Sequence, residues 1–360
     1  MTDFRPVLRR FAPLAEPGLP PRPADTLSVV PMSGGLINDT FALGTGFVLQ
    51  RLHRIFRAEV NLDIAALTPH LLAADVLVPT LLPAHDGRPW TEVDPAESPE
   101  LAGVWRILTR LPGLTRERAA DPAQAQSAGQ IVARFHGALA QVQHTFHFTR
   151  PGAHNTDLHM QRLQEALAEL RDHRLHDAVA PLAEELLARW QAWGRPPQLP
   201  SRIVHGDLKV SNLLFTGSNA TAVLDLDTMA HGTLDIELGD ALRSWCNTGR
   251  EDDETPQFDS AIFVAAMQGY VSHAGDWLTG PEVASLAAGL ERLCIELSAR
   301  FAADALREAY FGWNPQRAAT RGDHNLMRAR NQLGLGRAVA SERQRLEAQL
   351  AALWSAREKG

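Results

Sequence analysis

The pattern of apolar and polar positions changes character near residue 110. Before it, short apolar or alternating runs have the habit of strands; after it, apolar residues recur three and four positions apart, as on one face of a helix. Residues 4–11 predict a short helix, which the proline-dense stretch 13–23 cannot continue. Strands are expected at 27–32, 36–43 and 47–51, separated by Ser33-Gly34-Gly35 and Gly44-Thr45-Gly46, which makes an antiparallel meander. A helix at 58–72 leads to further strands at 78–82, 90–93 and 104–108, and Leu111-Pro112-Gly113 ends the β pattern. Helices follow at 123–139, 157–171 and 178–193, the last stopped by Pro196, Pro197 and Pro200; others are expected at 241–247, 257–272, 281–306 and 324–356. The fold class is therefore α+β, with a small antiparallel sheet lobe over 1–110 and a larger, mainly helical lobe over 111–360. A chain of 360 residues is long for one core, which favours two lobes.

One stretch interrupts the helices. An apolar run at 202–204 breaks at Gly206 into a loop bearing His205, Asp207, Lys209 and Asn212. Two more apolar runs, 213–215 and 221–226, flank a Gly217-Ser218-Asn219 turn and read as a hairpin whose returning strand carries Asp225 and Asp227. Alternation along a strand would point these two carboxylates to the same side, toward the loop. Singly, each residue is an ordinary turn former. Together, clustered carboxylates repel unless a cation or a shared proton neutralises them, and Asn212 with Asp225 suits a hard, oxygen-seeking Mg²⁺. Asp207 is left to orient an attacking hydroxyl.

Composition narrows the partners. A net charge of -7 and a pI near 6.1 argue against nucleic acid, which calls for a basic face. Cys246 and Cys294 are too few for a disulfide framework, and no apolar run approaches a membrane span. The N-terminus lacks an apolar signal core, so a cytoplasmic monomer acting on a small substrate is expected.

His205-Gly206-Asp207-Leu208-Lys209 with Asn212, followed by Leu224-Asp225-Leu226-Asp227, resembles the catalytic and metal-binding segments of the aminoglycoside phosphotransferase and choline kinase superfamily, which shares the protein-kinase-like fold. Gly35 to Phe41, Val48-Leu49-Gln50-Arg51 and Asp323 to Arg330 look most like its N-acetylhexosamine 1-kinase branch. The resemblance implies ATP and Mg²⁺ as cofactors and a small hydroxylated acceptor, a hexose first. It implies Asp207 as the catalytic base, Lys209 steadying the moving phosphoryl group, and Asn212, Asp225 and Asp227 toward the metal. Ser33, Gly34 and Gly35 would cover the phosphates, and Leu108 lies where the adenine edge is read. The phosphate-holding lysine of such kinases is replaced by Gln50; either Gln50 contacts the nucleotide as a neutral donor, or Arg51 supplies the charge. Glu59 matches the glutamate that such a lysine would pair with, and Arg300 is carried over as an acceptor-site residue beside Asp207. Glu237-Leu238-Gly239-Asp240 stands where the superfamily has an aspartate that steadies the loop, and Asp240 with Arg243 reads as an ion pair. His136 is expected in the core, and 251–254 as a solvated acidic loop. Two other functions stay open: a kinase of a cationic acceptor such as an aminoglycoside or choline, and a nucleotide-binding regulatory protein without turnover.

Overall fold

The structure, a computed structural model, describes residues 2–16, 18–32, 37–119, 121–249, 251–253 and 255–359. Helix α1 (Arg5–Leu8) is shorter than the sequence pattern suggested. Strands β1 (Val29–Pro31), β2 (Asp39–Leu43) and β3 (Phe47–Arg51) form the expected meander, followed by helix α2 (Val60–Ala73). Then come β4 (Leu81–Leu82), β5 (Thr91–Val93) and β6 (Gly103–Thr109). Sheet order is β1-β2-β3-β6-β4, with β5 also on β6, and every pairing is antiparallel. The register sets Gln50 opposite Arg106 and Thr40 opposite Gln50. Val7, Leu8 and Phe11 pack with Leu49, Trp105 and Ile107 in one core of this sheet region.

The remainder is mainly helical: α3 (Pro122–Leu139), α4 (Thr156–Glu169) and α5 (His176–Trp193) come first. Strand β7 (Arg202–Val204) and the hairpin β8 (Leu213–Thr216) and β9 (Asn219–Val223) follow, and β10 (Ala230–Gly232) returns to pair with β7. The chain ends in α6 (Leu234–Trp245), α7 (Ser260–His273), α8 (Gly280–Arg307) and α9 (Arg321–Lys359). Helices cross closely at glycines. A methyl group on Gly129 of α3 would strike the Ala266 carbonyl of α7, and one on Gly289 of α8 would strike the Asp235 carbonyl of α6. Thr279 and Glu282 cap α8 reciprocally, and Glu282 also takes Arg202 at 2.8 Å, tying the start of α8 to β7.

Three local expectations change. Strand 78–82 shrinks to β4, and the returning strand of the hairpin stops at Val223, before either aspartate. The acidic stretch near 251 is half-buried and ion-paired: Asp252 takes Arg328 at 2.6 Å and Glu251 takes Arg243 at 3.4 Å. Its spacing gave no sign of these partners, of which Arg328 lies 76 positions along the chain. Among the described residues no helix is long and apolar enough to cross a membrane.

Candidate active site

The loop after β7 is held by α6. Glu237 accepts the backbone N–H of His205 on Oε1 at 2.8 Å and that of Gly206 on Oε2 at 2.9 Å. The longer glutamate therefore braces the loop. Burial opposes the charged form of Glu237, but the hydrogen bond and charge of His136, with the His205 ring and the Gly206 N–H, hold its carboxyl below the ordinary range. His136 lies in the core as expected, bonded to Glu237 at 3.2 Å and to the Tyr270 hydroxyl at 2.9 Å. Gly206 adopts φ +79°, and a methyl there would come within 2.6 Å of the Thr228 carbonyl oxygen. Thr228 in turn donates to the His205 carbonyl at 2.8 Å, and the His205 ring meets the Leu224 carbonyl at 2.7 Å. The loops around Asp207 and Asp225 are thus laced together.

Asp207 offers its two oxygens unequally. Oδ2 accepts Lys209 Nζ at 2.7 Å and Asn212 Nδ2 at 3.0 Å, while Oδ1 has no such partner among the described residues. Asn212 also donates to the Asp207 carbonyl at 2.7 Å, so its amide oxygen is the atom available to a cation. Burial works to lower the Lys209 pKa, yet the Asp207 carboxylate, with Asp225 and Asp240, keeps it raised.

The two aspartates of the Asp-x-Asp segment part company. Asp225 takes a left-handed backbone, φ 60°, and the chain turns at once into a 3-10 helix over Leu226–Thr228. Strand alternation is lost there, so Asp225 opens to solvent while Asp227 is buried. Part of Asp225 is exposed, but the surrounding protein displaces enough water that its carboxyl rises to about 6, with the Asp227 and Asp207 charges adding to the push. Asp225, with the Asp207 charge close by and the amide oxygen of Asn212 left over, gives an oxygen donor set suited to a hard cation. Asp227, expected at the metal, gives both oxygens to Arg106, at 2.6 and 2.8 Å, and Oδ2 also accepts Asn38 Nδ2 at 2.8 Å.

Arg106 is the residue that the sequence reading missed. Its Nε and Nη2 donate to Gln50 at 3.0 and 2.8 Å, and its Nη1 donates to Asn61 of α2 at 3.1 Å. Gln50 passes the chain on to Thr40 at 3.1 Å. The positive charge beside Gln50 therefore comes from the neighbouring strand. Arg51 points the other way, onto Asp39 at 2.6 Å and over the Trp105 ring. Glu59 pairs with nearby Arg57 at 2.9 Å, so Asn61 rather than Glu59 is the α2 side chain that meets this charge. The available signal was a lone arginine inside the apolar run of β6. Leu108 is buried in that strand, one residue before its end. Ser33, Gly34 and Gly35 lie outside the described residues.

Arg300 of α8 is half-buried over the Phe311 ring and lines a cavity of about 450 Å³ with Arg150, Arg162, Arg307 and Tyr310. Asp304, also in its wall, accepts the N–H groups of Ala309, Tyr310 and Phe311 and the amide of Asn325 at 2.8 Å, which explains the place of Asn325 in the motif at 323–330. Asp207, Asn212 and Asp225 do not line this cavity. Asp240, paired with Arg243 at 2.9 Å as expected, lies between: it feels the charge of Arg300 and is itself felt by Lys209.

Comparison with known proteins supplies the rest. The model of the phosphotransferase enzyme family matches residues 28–274. An uncharacterised protein of Deinococcus radiodurans is 32% identical over 207 residues, 54% of this chain and 56% of that protein. A homoserine kinase of Rhodopseudomonas palustris is 24% identical over 233 residues, 62% of this chain and 64% of the kinase. The chain thus spans less than two thirds of these curated relatives. Amicoumacin kinase in complex with AMP-PNP, Ca²⁺ and Ami shares the fold, with a TM-score of 0.57 at 15% identity over 84% of this chain and 87% of that one.

Proposed function

This chain belongs to the phosphotransferase enzyme family, and from that premise we propose that it transfers the γ-phosphoryl group of ATP to a hydroxyl of a small acceptor, a hexose at its anomeric position. The observation that carries this reading is the loop around Asp207, braced by Glu237, with Oδ1 free and Oδ2 held by Lys209 and Asn212. Asp207 Oδ1 accepts the proton of the acceptor hydroxyl as its oxygen attacks the γ-phosphorus; the bond to the β-bridging oxygen breaks and ADP leaves. Lys209, bonded to Asp207 Oδ2, would balance charge on the moving phosphoryl group. Asn212 and Asp225 would hold Mg²⁺, which when bound screens the phosphate charge. Arg106, paired with Asp227, holds Gln50 in place on the sheet, and Gln50, Leu108 and Ser33, Gly34 and Gly35 would take the nucleotide. The functional division falls at 110/111.

Arg300 would bind acceptor hydroxyls. The similarity to homoserine kinases supports a second reading, a short hydroxylated amino acid as acceptor. ADP release measured with free hexoses, methyl glycosides, homoserine and amino alcohols separates them. A 1-kinase turns over the free sugar and leaves the methyl glycoside untouched, because a site that hydrogen-bonds a hydroxyl rejects its absence by up to ~10⁴-fold. Equal rates on both sugars rule out anomeric transfer, and turnover of homoserine alone replaces the sugar reading.

A further inference from the structure

We propose that Asp63, His144 and His147 form a site for one transition-metal ion of the zinc class, away from the Asp207 and Asp225 loops. Asp63 is a buried carboxylate on α2, and the two histidines come from the segment after α3, in the order His144-Thr145-Phe146-His147. His144 Nε2 lies 2.8 Å and His147 Nδ1 2.9 Å from the same oxygen, Asp63 Oδ1, and one ligand atom from each residue falls within 4.8 Å of the others. That oxygen also accepts the His147 backbone N–H at 2.9 Å, while Oδ2 accepts the Phe148 N–H at 3.1 Å. Three donors crowd one oxygen, and two of them are ring nitrogens gathered as a shared ion would gather them.

The donor set decides the class of ion. Two imidazole nitrogens and one carboxylate oxygen suit zinc, cobalt or nickel, whereas magnesium and calcium want oxygen alone. A tetrahedral ion with bonds of 2.0–2.2 Å needs its ligands about 3.3 Å apart, which side-chain rotation supplies from the present spacing. Backbone N–H groups fix the carboxylate, and the His231 ring bonds the His144 backbone carbonyl at 2.9 Å, which steadies the segment that carries both histidines. The His147 side chain is 49% exposed, which leaves an entry path and an open position for water. An ion here would join α2 of the sheet region to the segment leading into α4.

The full-length protein, stripped with chelator, is titrated with Co²⁺ and followed by visible absorption, with Zn²⁺ and thermal unfolding as the second readout. One equivalent of Co²⁺ is expected to give the strong absorption of a tetrahedral site in the wild type and in Asp225→Ala, and none in His144→Ala or His147→Ala. Zn²⁺ should raise the melting temperature of the wild type and leave the His144→Ala/His147→Ala protein unchanged. His147 is exposed enough for its variant to fold, and the metal-free melting temperature checks this. The proposal fails if the wild type shows no band and no Zn²⁺ stabilisation. It also fails if the band survives His147→Ala in folded protein, or if Asp225→Ala abolishes it while the histidine variants keep it.

Discussion

Two residues carry opposite duties. Asp207 keeps one oxygen free, so Asp207→Asn should fold normally, keep its affinity for nucleotide and lose ~10²- to 10⁴-fold in kcat, as removal of a general base does. Steady-state kinetics with a nucleotide-binding titration checks it; more than about a tenth of wild-type kcat would end the base assignment. Arg106 has no guanidinium nitrogen to spare: Nε, Nη1 and Nη2 all donate to protein, and its side chain is 3% exposed beside a fully buried Asp227. Replacing it by leucine leaves that carboxylate buried without a counter-ion, a loss of about 3–5 kcal/mol. Denaturant unfolding of Arg106→Leu reads this directly, and an unchanged midpoint would show the pair to be dispensable.

At the scale of elements, α6 acts through both its faces. Glu237 presents a depressed carboxyl to the catalytic loop. A group whose pKa is lower when folded stabilises at pH above its unfolded value and loses that contribution as pH falls through its folded value. Glu237→Gln should therefore flatten the acid side of the stability profile, while at neutral pH it costs about 1–3 kcal/mol because one backbone N–H loses its acceptor. On the other face, Gly289→Ala pushes α8 away from α6 and should cost about 1–3 kcal/mol, as overpacking does. Helices were legible in the sequence because their apolar period runs over many residues; α3, α5 and α8 fall within a few positions of expectation. The loop from His205 to Asn212 was legible because each polar residue breaks an apolar run. Asp225 was misplaced on a strand because nothing in the residue type announces a left-handed turn, although aspartate is among the few residues that tolerate one. Arg106 was missed because a strand pattern shows which face a residue shares, not what waits there from a residue 121 positions later.

Across the whole molecule, the sheet region and the helical part meet through charges that neither half could bury alone. Asn38, Gln50, Asn61 and Arg106 come from the first, and Asp227 from the second. These halves are consequently not interchangeable parts. A sheet region transplanted from a kinase with a lysine at the position of Gln50, and no arginine at that of Arg106, would leave Asp227 stranded in a dry pocket, and its helical host should fold poorly as a chimera. Carrying Arg106, Gln50 and Asn61 into the transplant should restore soluble, cooperatively melting protein. Recombination within this lineage is therefore expected to succeed only where crossovers keep those positions together with Asp227, a constraint on inheritance written by a single ion pair.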